Sequence, residues 1–446
     1  MKPIKFIDLF AGLGGIRIGF EDSFKELGFE TECVLTSEIK PHAKKTLEHN
    51  FNHNLFVGDI FKVRIEDIPD FDFLLGGFPC QPFSSGGKRL GFLDTRGTLF
   101  FEIERILRAK KPYGFILENV EGLVKHDLEN KNDKIGQTLK TILHVLGNDL
   151  NYKVSWKVFD SVNFGLPQSR KRIFIVGTKD KEINLDNFEH THSVFKEVME
   201  FGLPSLNTDF SNKLLKHYDI KELYGKSIKD KRGGKNNIHS WDIELKGSVS
   251  EEQQIILNKL FKARRQKKWA GEIGVKWMDG MPLTLKQIST FHKSDNLKEL
   301  LEDLVKKGYL KLEHPKGLVE ELTLEGVKRY RDYDRTKPKG FNIVTGKLSF
   351  EINKVISPDD IVPTLVATDM SRLAVPDGEG LRRFTLREGL RLFGYPENYE
   401  IPTNENDAFD LLGNTVAIPI VKAISERISF EMKEKYQVKS LPVEAL

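Results

Sequence analysis

Cysteine is the scarcest informative residue in this chain of 446 amino acids: there are only two, Cys33 and Cys80. Two thiols so far apart form no disulfide framework, and no Cys/His cluster has zinc-ligand spacing. A reducing cytoplasm is therefore the expected compartment. Long hydrophobic runs are missing too. No stretch approaches the roughly 18 apolar residues of a membrane span, so no membrane association is expected. The opening Met1-Lys2-Pro3-Ile4-Lys5-Phe6-Ile7-Asp8 places an acid inside its first apolar segment and has no signal-peptide pattern. A strong charge of either sign is also lacking. The balance of 69 Lys+Arg against 65 Asp+Glu leaves +4, which permits a polyanionic partner without requiring one. No internal repeat or low-complexity tract stands out. The remaining composition, 39% hydrophobic and 30% charged, is that of a globular protein. The length suits about two to three domains.

One of the two cysteines stands in an unusual setting, Gly76-Gly77-Phe78-Pro79-Cys80-Gln81-Pro82-Phe83-Ser84. The apolar run before it, Phe71-Asp72-Phe73-Leu74-Leu75, predicts a buried strand. The small polar residues after it, Ser84-Ser85-Gly86-Gly87-Lys88, predict a loop. A thiol at the end of a buried strand, on a Gly/Pro-rich turn, is where an open α/β sheet presents reactive groups. The competing reading is an inert core thiol. The flanking prolines weigh against it.

Around this stretch the chain has a βαβ rhythm. Residues 3–10 predict a strand that runs into Ala11-Gly12-Leu13-Gly14-Gly15 and then a helix. Glycines at a strand-to-helix turn let backbone N–H groups approach a ligand, and they also serve plain turn geometry. A second strand over 32–37 ends at Glu38. An acid at that place suits a ribose diol, and a solvated carboxylate is its rival. A third short strand over 54–58 leads to Asp59 and Ile60, an acceptor and an apolar surface suited to an adenine ring. A helix over 98–110 buries Leu99, Ile103, Ile106 and Leu107 on one face. Then come a strand over 113–120 ending in Glu118-Asn119, a helix near 135–146, and a hairpin-like pair at 152–158 and 172–177. Between the paired strands lies Gln168-Ser169-Arg170-Lys171-Arg172, in which the arginines would share one face of a strand. The order of elements predicts a doubly wound α/β sheet over 1–180.

From about 181 to 377 the rhythm stops, which predicts a second domain. Within it a helix over 250–268 ends in Lys262-Ala263-Arg264-Arg265-Gln266-Lys267-Lys268-Trp269, a solvated helix face or a polyanion contact. A turn at 283–289, a helix over 296–308 and strands at 309–317 and 318–324 follow. That order, at about 250–332, resembles a winged helix inserted in the domain. A helical insertion that only packs is the alternative. Residues 378–446 return to α/β character, with helices at 386–393 and 417–436.

Taken in order, these motifs resemble the DNA (cytosine-5) methyltransferases. Phe6-Ile7-Asp8-Leu9-Phe10-Ala11-Gly12-Leu13-Gly14-Gly15 is similar to that family's cofactor loop and Pro79-Cys80-Gln81 to its nucleophile motif. Glu118-Asn119-Val120 resembles its acid motif, and Gln168-Ser169-Arg170-Lys171-Arg172 its Gln-x-Arg-x-Arg motif. Residues 387–396 and Gly413-Asn414-Thr415-Val416 are similar to its two late motifs, and Thr364-Leu365 to a pair in its target recognition domain. The likeness covers about 3–180 and 380–425. It implies a Rossmann-like, S-adenosylmethionine-dependent catalytic domain formed by 1–180 and 378–446, with a target recognition domain at 181–377.

The resemblance also implies roles. Cys80 would add to cytosine C6 and so activate C5. Glu118 would hold N3, and Arg170 and Arg172 would stabilise the carboxylate, the base or a phosphate. S-adenosylmethionine would be held by Phe10, the turn Ala11, Gly12, Leu13, Gly14 and Gly15, and by Glu38, Asp59, Ile60, Pro79, Leu99, Asn414 and Val416. Because Asn414 and Val416 come from the far end of the chain, the C-terminal helix is expected beside the first strand. Gln81, Ser84, Ser85, Arg96, Gln168 and Thr364 would meet DNA, with the target base flipped from the duplex. The expected partner is double-stranded DNA, with a monomeric bacterial enzyme acting beside a separate cognate restriction endonuclease. The tRNA-directed relatives carry a Cys-Phe-Thr element in the recognition domain, and this chain has no cysteine after Cys80. A DNA-binding regulator acting through the winged-helix-like insertion is the rival from another class.

Overall fold

The computed structural model describes residues 2–78, 99–130, 132–231, 234–323, 326–345 and 350–439. Pro79, Cys80, Gln81, Ser84, Ser85 and Arg96 lie outside the described residues. The chain forms two units: one of residues 1–201, 358–371 and 384–446, and one of residues 202–357 and 372–383.

The first unit begins β1 (Ile4–Leu9), α1 (Gly15–Glu26), β2 (Thr31–Ser37), α2 (Pro41–Asn50), β3 (Phe56–Val57), β4 (Phe73–Gly77), α3 (Leu99–Lys110), β5 (Gly114–Val120), α4 (Gln137–His144), β6 (Lys153–Asp160) and β7 (Lys171–Thr178). The strands form a seven-stranded sheet in the order β3-β2-β1-β4-β5-β7-β6. β1 to β5 are parallel, β7 runs antiparallel to β5, and β6 and β7 form an antiparallel hairpin. The direction of winding reverses at β1, with β2 on one side and β4 on the other. In such sheets the ligand crevice lies at the carboxyl ends of the strands next to this reversal.

Alternation along the strands builds two cores. Ile4 and Phe6 of β1, Phe73 and Leu75 of β4 and Phe174 and Val176 of β7 face one way. They pack with Phe20 and Phe24 of α1 and with Val421, Ile424 and Ile428 near the C-terminus. Ile7, Leu9, Leu74, Phe115, Leu117, Ile173 and Ile175 face the other way, onto Ile103, Ile106 and Leu107 of α3 and Leu139 and Ile142 of α4. The buried positions of α3 recur three to four residues apart, as an amphipathic helix requires.

The second unit contains α5 (Asp209–His217), β8 (Ser227–Ile228), β9 (Asn237–Ile238), α6 (Glu251–Ala263), α7 (Lys268–Glu272), α8 (Leu285–Ser289), α9 (Leu297–Lys306), β10 (Leu310–Glu313), β11 (Lys316–Thr323), β12 (Gly326–Tyr333), β13 (Gly340–Ile343) and β14 (Lys354–Val355). The chain then gives α10 (Ala367–Met370) to the first unit and β15 (Leu373–Asp377) and β16 (Gly380–Arg383) to the second. It ends in the first unit with α11 (Leu386–Arg391), α12 (Glu405–Asn414) and α13 (Ile418–Lys439).

Two cores divide the second unit. One joins α5 to the sheet β16-β15-β14-β8-β9. The other joins α6, α7, α8 and α9 to β10 and β13. In this second part Leu283 bridges Phe341 of β13, and β10 pairs antiparallel with β13. The hairpin β11–β12 lies between them in sequence, and the residues of β12 are exposed. The order α6, α7, the isolated Leu283 bridge, α8, α9, β10, hairpin β11–β12 and β13 is similar to that of a winged helix. It reaches Ile343, beyond the expected end near 332. Pro315-Lys316-Gly317 is not the hairpin turn: β10 pairs with β13 across the whole hairpin, and β11 turns back on β12.

The boundaries of the units differ from those expected at 180/181 and 377/378. Residues 181–201 stay with the first unit because Ile183 and Leu185 are buried in its core, and the Phe195 N–H bonds the Asp360 carbonyl at 3.1 Å. Residues 358–371 join it through Val362, whose N–H and carbonyl bond Pro167 at 2.7 Å and Ser169 at 2.9 Å. β16 stays with the second unit because it pairs antiparallel with β15. The C-terminal helix α13 packs on α1, closely enough that a Cβ on Gly19 would stand 2.8 Å from Val421 Cβ. No single helix among the described residues is long and apolar enough to cross a membrane.

Candidate active site

A cleft of about 700 Å³ opens at the carboxyl ends of β1, β2, β4 and β5. Each strand delivers a residue to it. Phe10 follows β1, Glu38 follows β2, Gly77 ends β4 and Glu118 lies near the end of β5. Asp59, Ile60 and Phe61 enter after β3. The C-terminus of α12 brings Leu411, Gly413 and Asn414.

Phe10 carries backbone strain, with φ of 56°. A bulky residue in the left-handed region costs on the order of 1–3 kcal/mol and persists only where the surroundings hold it. Here the Ala11 N–H bonds the Ser37 carbonyl at 3.1 Å and the Gly12 N–H bonds Glu38 Oε2 at 2.9 Å. The Lys40 N–H donates to Glu38 Oε1 at 2.8 Å, so both carboxylate oxygens are oriented by backbone. Asp59 Oδ1 accepts from the Phe61 N–H at 3.1 Å.

The glycines of the turn divide the labour. Gly12, at φ 56°, lines the cleft, and a Cβ there would have only the Phe10 carbonyl oxygen near it, at 3.9 Å. Gly14 and Gly15 face packing instead. A Cβ on Gly14 would stand 2.6 Å from the Phe51 ring. On Gly15 it would stand 2.9 Å from both Tyr395 Oη and Val416 Cγ1. Leu13 is buried, and its carbonyl accepts from Tyr399 Oη at 2.6 Å. The cleft lining therefore includes Phe10, Gly12, Glu38, Asp59, Ile60, Leu99 and Asn414 among the expected cofactor residues. It does not include Ala11, Leu13, Gly14, Gly15 or Val416.

At the far side of the cleft Glu118 meets Arg172, with Nε 3.0 Å from Oε1 and both side chains largely buried. The β5–β7 register explains the contact: Glu118 lies opposite Phe174 and Val120 opposite Arg172, so the pair is a diagonal one on a shared face. Burial pushes the Glu118 carboxyl above its ordinary range, and Arg172 and then Arg170 pull against that rise. Asn119 is buried beside it. Its Nδ2 donates to the Phe78 carbonyl at 2.8 Å, and its Oδ1 accepts from the Val120 N–H at 2.8 Å.

Arg170 lies one residue before β7, which begins at Lys171, and its side chain lines the same cleft as Arg172. It is buried there. Its Nη2 donates to the carbonyls of Gly413 at 3.0 Å and Thr415 at 2.7 Å, and its Nη1 to Leu365 at 3.4 Å. Burial, then Arg172, lowers its pKa to about 9. Gln168, expected at DNA, is fully buried. Its Nε2 donates to the Leu392 carbonyl at 3.0 Å and its Oε1 accepts from the Leu365 N–H at 3.3 Å, so the amide ties chain segments together. Thr364 is exposed, and its hydroxyl donates to the Ser169 carbonyl at 2.6 Å.

The sequence reading missed an apolar rim. Ile39 and Phe61 both line the cleft and both are exposed. The signal was present: Glu38-Ile39 and Asp59-Ile60-Phe61 each place apolar residues directly after an acid at a strand end. Apolar walls beside oriented carboxylates suit a flat aromatic ring joined to a diol, which is the chemistry of an adenosine. Phe10, Ile39, Ile60 and Phe61 supply the apolar part of that lining, and Glu38 and Asp59 the carboxylates.

Over residues 4–429 the chain matches the model of the family described as C-5 cytosine-specific DNA methylase. It is 57% identical over 429 residues to the Type II methyltransferase M.NlaIV of Neisseria lactamica, across 96% of this chain and 99% of that protein. To M.NgoBV of Neisseria gonorrhoeae it is 56% identical over 429 residues, with the same shares covered. To M.BanI of Aneurinibacillus aneurinilyticus it is 40% identical over 450 residues, across 95% of each. A cofactor cleft and a buried acid at the strand ends, within a match that runs nearly end to end, give one conclusion: the chain belongs to the C-5 cytosine-specific DNA methylases and is a DNA (cytosine-5-)-methyltransferase that uses S-adenosylmethionine.

Proposed function

We propose that this enzyme methylates one cytosine in a specific duplex sequence as the modification half of a Type II restriction–modification pair. Cys80 serves as its nucleophile and the target base is turned out of the helix. The observation that carries the chemistry is the Glu118–Arg172 pair at 3.0 Å, with Glu118 on β5, the neighbour of the strand that precedes Cys80 in sequence. Cytosine C5 is a poor nucleophile until a thiolate adds to C6. That addition places charge on N3 and O2, and a buried carboxyl with a raised pKa is suited to share a proton with N3. Arg172 keeps the carboxyl oriented and limits the rise. After transfer the C5 proton leaves to a base and the thiolate is expelled, which restores Cys80. S-adenosylmethionine supplies a methyl group made electrophilic by its sulfonium. Phe10, Glu38, Asp59 and Ile60 would hold it, with Leu99 and Asn414 at the edge of the same cleft.

A base inside a duplex is out of reach of a thiol, so the target must leave the stack at a cost of a few kcal/mol. The segment with Gln81, Ser84, Ser85 and Arg96 supplies the groups that would meet DNA there, and Thr364 supplies an exposed hydroxyl in another segment of the first unit. The second unit is the target recognition domain in this reading. The enzyme acts as a monomer in the bacterial cytoplasm, beside a separately acting endonuclease.

The test is methyl transfer from labelled S-adenosylmethionine to duplex DNA, with Cys80→Ala alongside. Transfer by the wild type alone is the expected result. Transfer that survives the substitution removes Cys80 from the role. Methylation mapping of DNA from an expressing host then names the sequence, and methylation scattered without a common sequence overturns the restriction–modification assignment.

A further inference from the structure

The second unit carries a cationic surface that the chemistry at the cleft does not use. From Lys259 to Lys268 the chain reads Lys-Leu-Phe-Lys-Ala-Arg-Arg-Gln-Lys-Lys, without one acid. Its apolar members, Leu260, Phe261 and Ala263, are buried in the winged-helix core. Arg264 is buried too and is spent on structure, with Nη1 donating to Asn342 Oδ1 at 2.8 Å. Arg265 turns to the Lys231 carbonyl and lies 3.6 Å from Asp279. The remaining cations, Lys259, Lys262, Lys267 and Lys268, are exposed.

Among the described residues none of these lysines has a carboxylate within ion-pair distance. Lys259 donates only to the Phe291 carbonyl, at 3.3 Å. Lys268 lies 4.1 Å from the centre of the Trp269 ring and Lys267 lies 5.5 Å from that of Trp277. Lys259, Lys262 and Lys268 converge with Gln266 on one shallow depression of about 320 Å³, whose floor is Trp269 and Phe291. Uncompensated cations gathered on one face raise the local potential and cost stability unless a polyanion answers them.

The helix that winged helices commonly lay against DNA is differently charged. On α9 the exposed Lys298 is matched by Glu302 at 3.8 Å, and just past its end Lys307 by Asp303 at 2.6 Å; of its exposed side chains Lys306 is a cation and Glu299 and Glu302 are acids. That face gives phosphates little to bind. We propose that the winged-helix part of the second unit holds the phosphate backbone of duplex DNA on the α6–α7 face, through Lys259, Lys262, Lys267 and Lys268, and not on α9. The contact is independent of base sequence, because ammonium groups meet phosphate as point charges. It serves to retain the enzyme on DNA outside the target. The inference rests on duplex DNA being the substrate.

The test compares the full-length wild type with a variant in which these lysines become Gln, and with one in which they become Arg. Binding to a long duplex is measured by fluorescence anisotropy over a range of salt concentrations. Each neutralised phosphate contact contributes about 0.9 to the slope of log affinity against log salt. With four contacts removed, the Gln variant is expected to lose about 3.6 from that slope and to bind more weakly at physiological salt, by on the order of a hundredfold or more. The Arg variant is expected to keep the wild-type slope. In methyl transfer the loss should fall on KM for DNA and not on kcat. Glu299→Gln with Glu302→Gln should leave the slope unchanged.

An unchanged slope in the Gln variant overturns the proposal. So does a loss of affinity that Arg does not restore, since phosphate binding asks only for the charge. Tighter binding by the α9 variant also overturns it, because DNA would then lie on α9. Failure of the wild type itself to methylate any duplex strikes the substrate reading and is told apart by that measurement.

Discussion

Arg172 Nε lies 3.0 Å from Glu118 Oε1, a diagonal pair across β5 and β7 at the edge of the cleft. Burial raises this carboxyl above its ordinary range, and Arg172 and then Arg170 restrain the rise. Glu118→Gln keeps the shape and removes the titration. The single-turnover rate is expected to fall by about 10²–10⁴-fold, while S-adenosylmethionine affinity by calorimetry stays near that of wild type. Equal losses in both would make Glu118 a structural residue. Arg172→Met takes away the restraint, so the apparent pKa that the pH–rate profile assigns to Glu118 should move upward; an unmoved profile would detach Arg172 from the acid.

Asn119 offers a test of how the end of β5 is tied to the residue that follows β4. Its Nδ2 donates to the Phe78 carbonyl at 2.8 Å from a buried position. Asn119→Asp replaces that donor by an acceptor facing an acceptor, a loss of about 1–3 kcal/mol for buried groups left unpaired. The expected result is a fall in kcat larger than any fall in cofactor affinity, together with a lower melting temperature. Wild-type kcat in the variant would show that the bond has no bearing on the reaction.

Arg170 makes the clearest case for a bracket. It gathers the carbonyls of Leu365, Gly413 and Thr415 under the cleft, from positions far apart in sequence. Arg170→Lys supplies one ammonium where a planar fork reached separate carbonyls, so it should rescue little. Both Arg170→Lys and Arg170→Met are expected to lose roughly 3 kcal/mol in urea unfolding, with cofactor affinity reduced because Gly413 and Asn414 line the same cleft. Full stability in the Lys variant would mean that the carbonyl contacts count for little.

These residues also mark where sequence reasoning stops. The strand–turn–helix start, the acids at the ends of β2 and β3 and the β6–β7 hairpin are legible because each is local: periodicity, turn residues and an acid one step past an apolar run lie within a few positions. Alternation is all that a strand pattern gives, and it puts Arg170 on one face with Arg172. What it does not give is what Arg170 holds, because its carbonyl partners Leu365, Gly413 and Thr415 lie far along the chain. Gln168 reads as a recognition residue for the same reason, and its amide is occupied by Leu392 and Leu365. Gly15 and Gly19 are indistinguishable in sequence from Gly12. Only packing tells that Gly15 makes room for Tyr395 and Val416, and Gly19 for Val421. The hairpin after β10 is misplaced by the sequence pattern because the partner of β10 comes only after the whole of β11 and β12.

Asp8 gives a prediction that is independent of catalysis. It lies in β1 on the face of Ile4 and Phe6, is 1% exposed, and its Oδ2 has no hydrogen-bond partner among the described residues. Burial pushes its carboxyl up to about 7, against the pull of Arg17. A folded-state pKa above the unfolded one means that the protonated form is favoured by folding. The stability from this group is therefore full below the unfolded value near 3.8 and is lost as pH rises through about 7. A shift of this size corresponds to about 4 kcal/mol across that window, as an order of magnitude. Asp8→Asn cannot ionise, so its stability relative to wild type should improve steadily from weakly acid pH to neutral and level off above. Urea unfolding of both proteins at matched pH values reads the difference directly. Parallel pH dependences would show that Asp8 is already paired or solvated in the folded protein, and the carboxyl beneath the glycine turn would then be ionised throughout the working range of the enzyme.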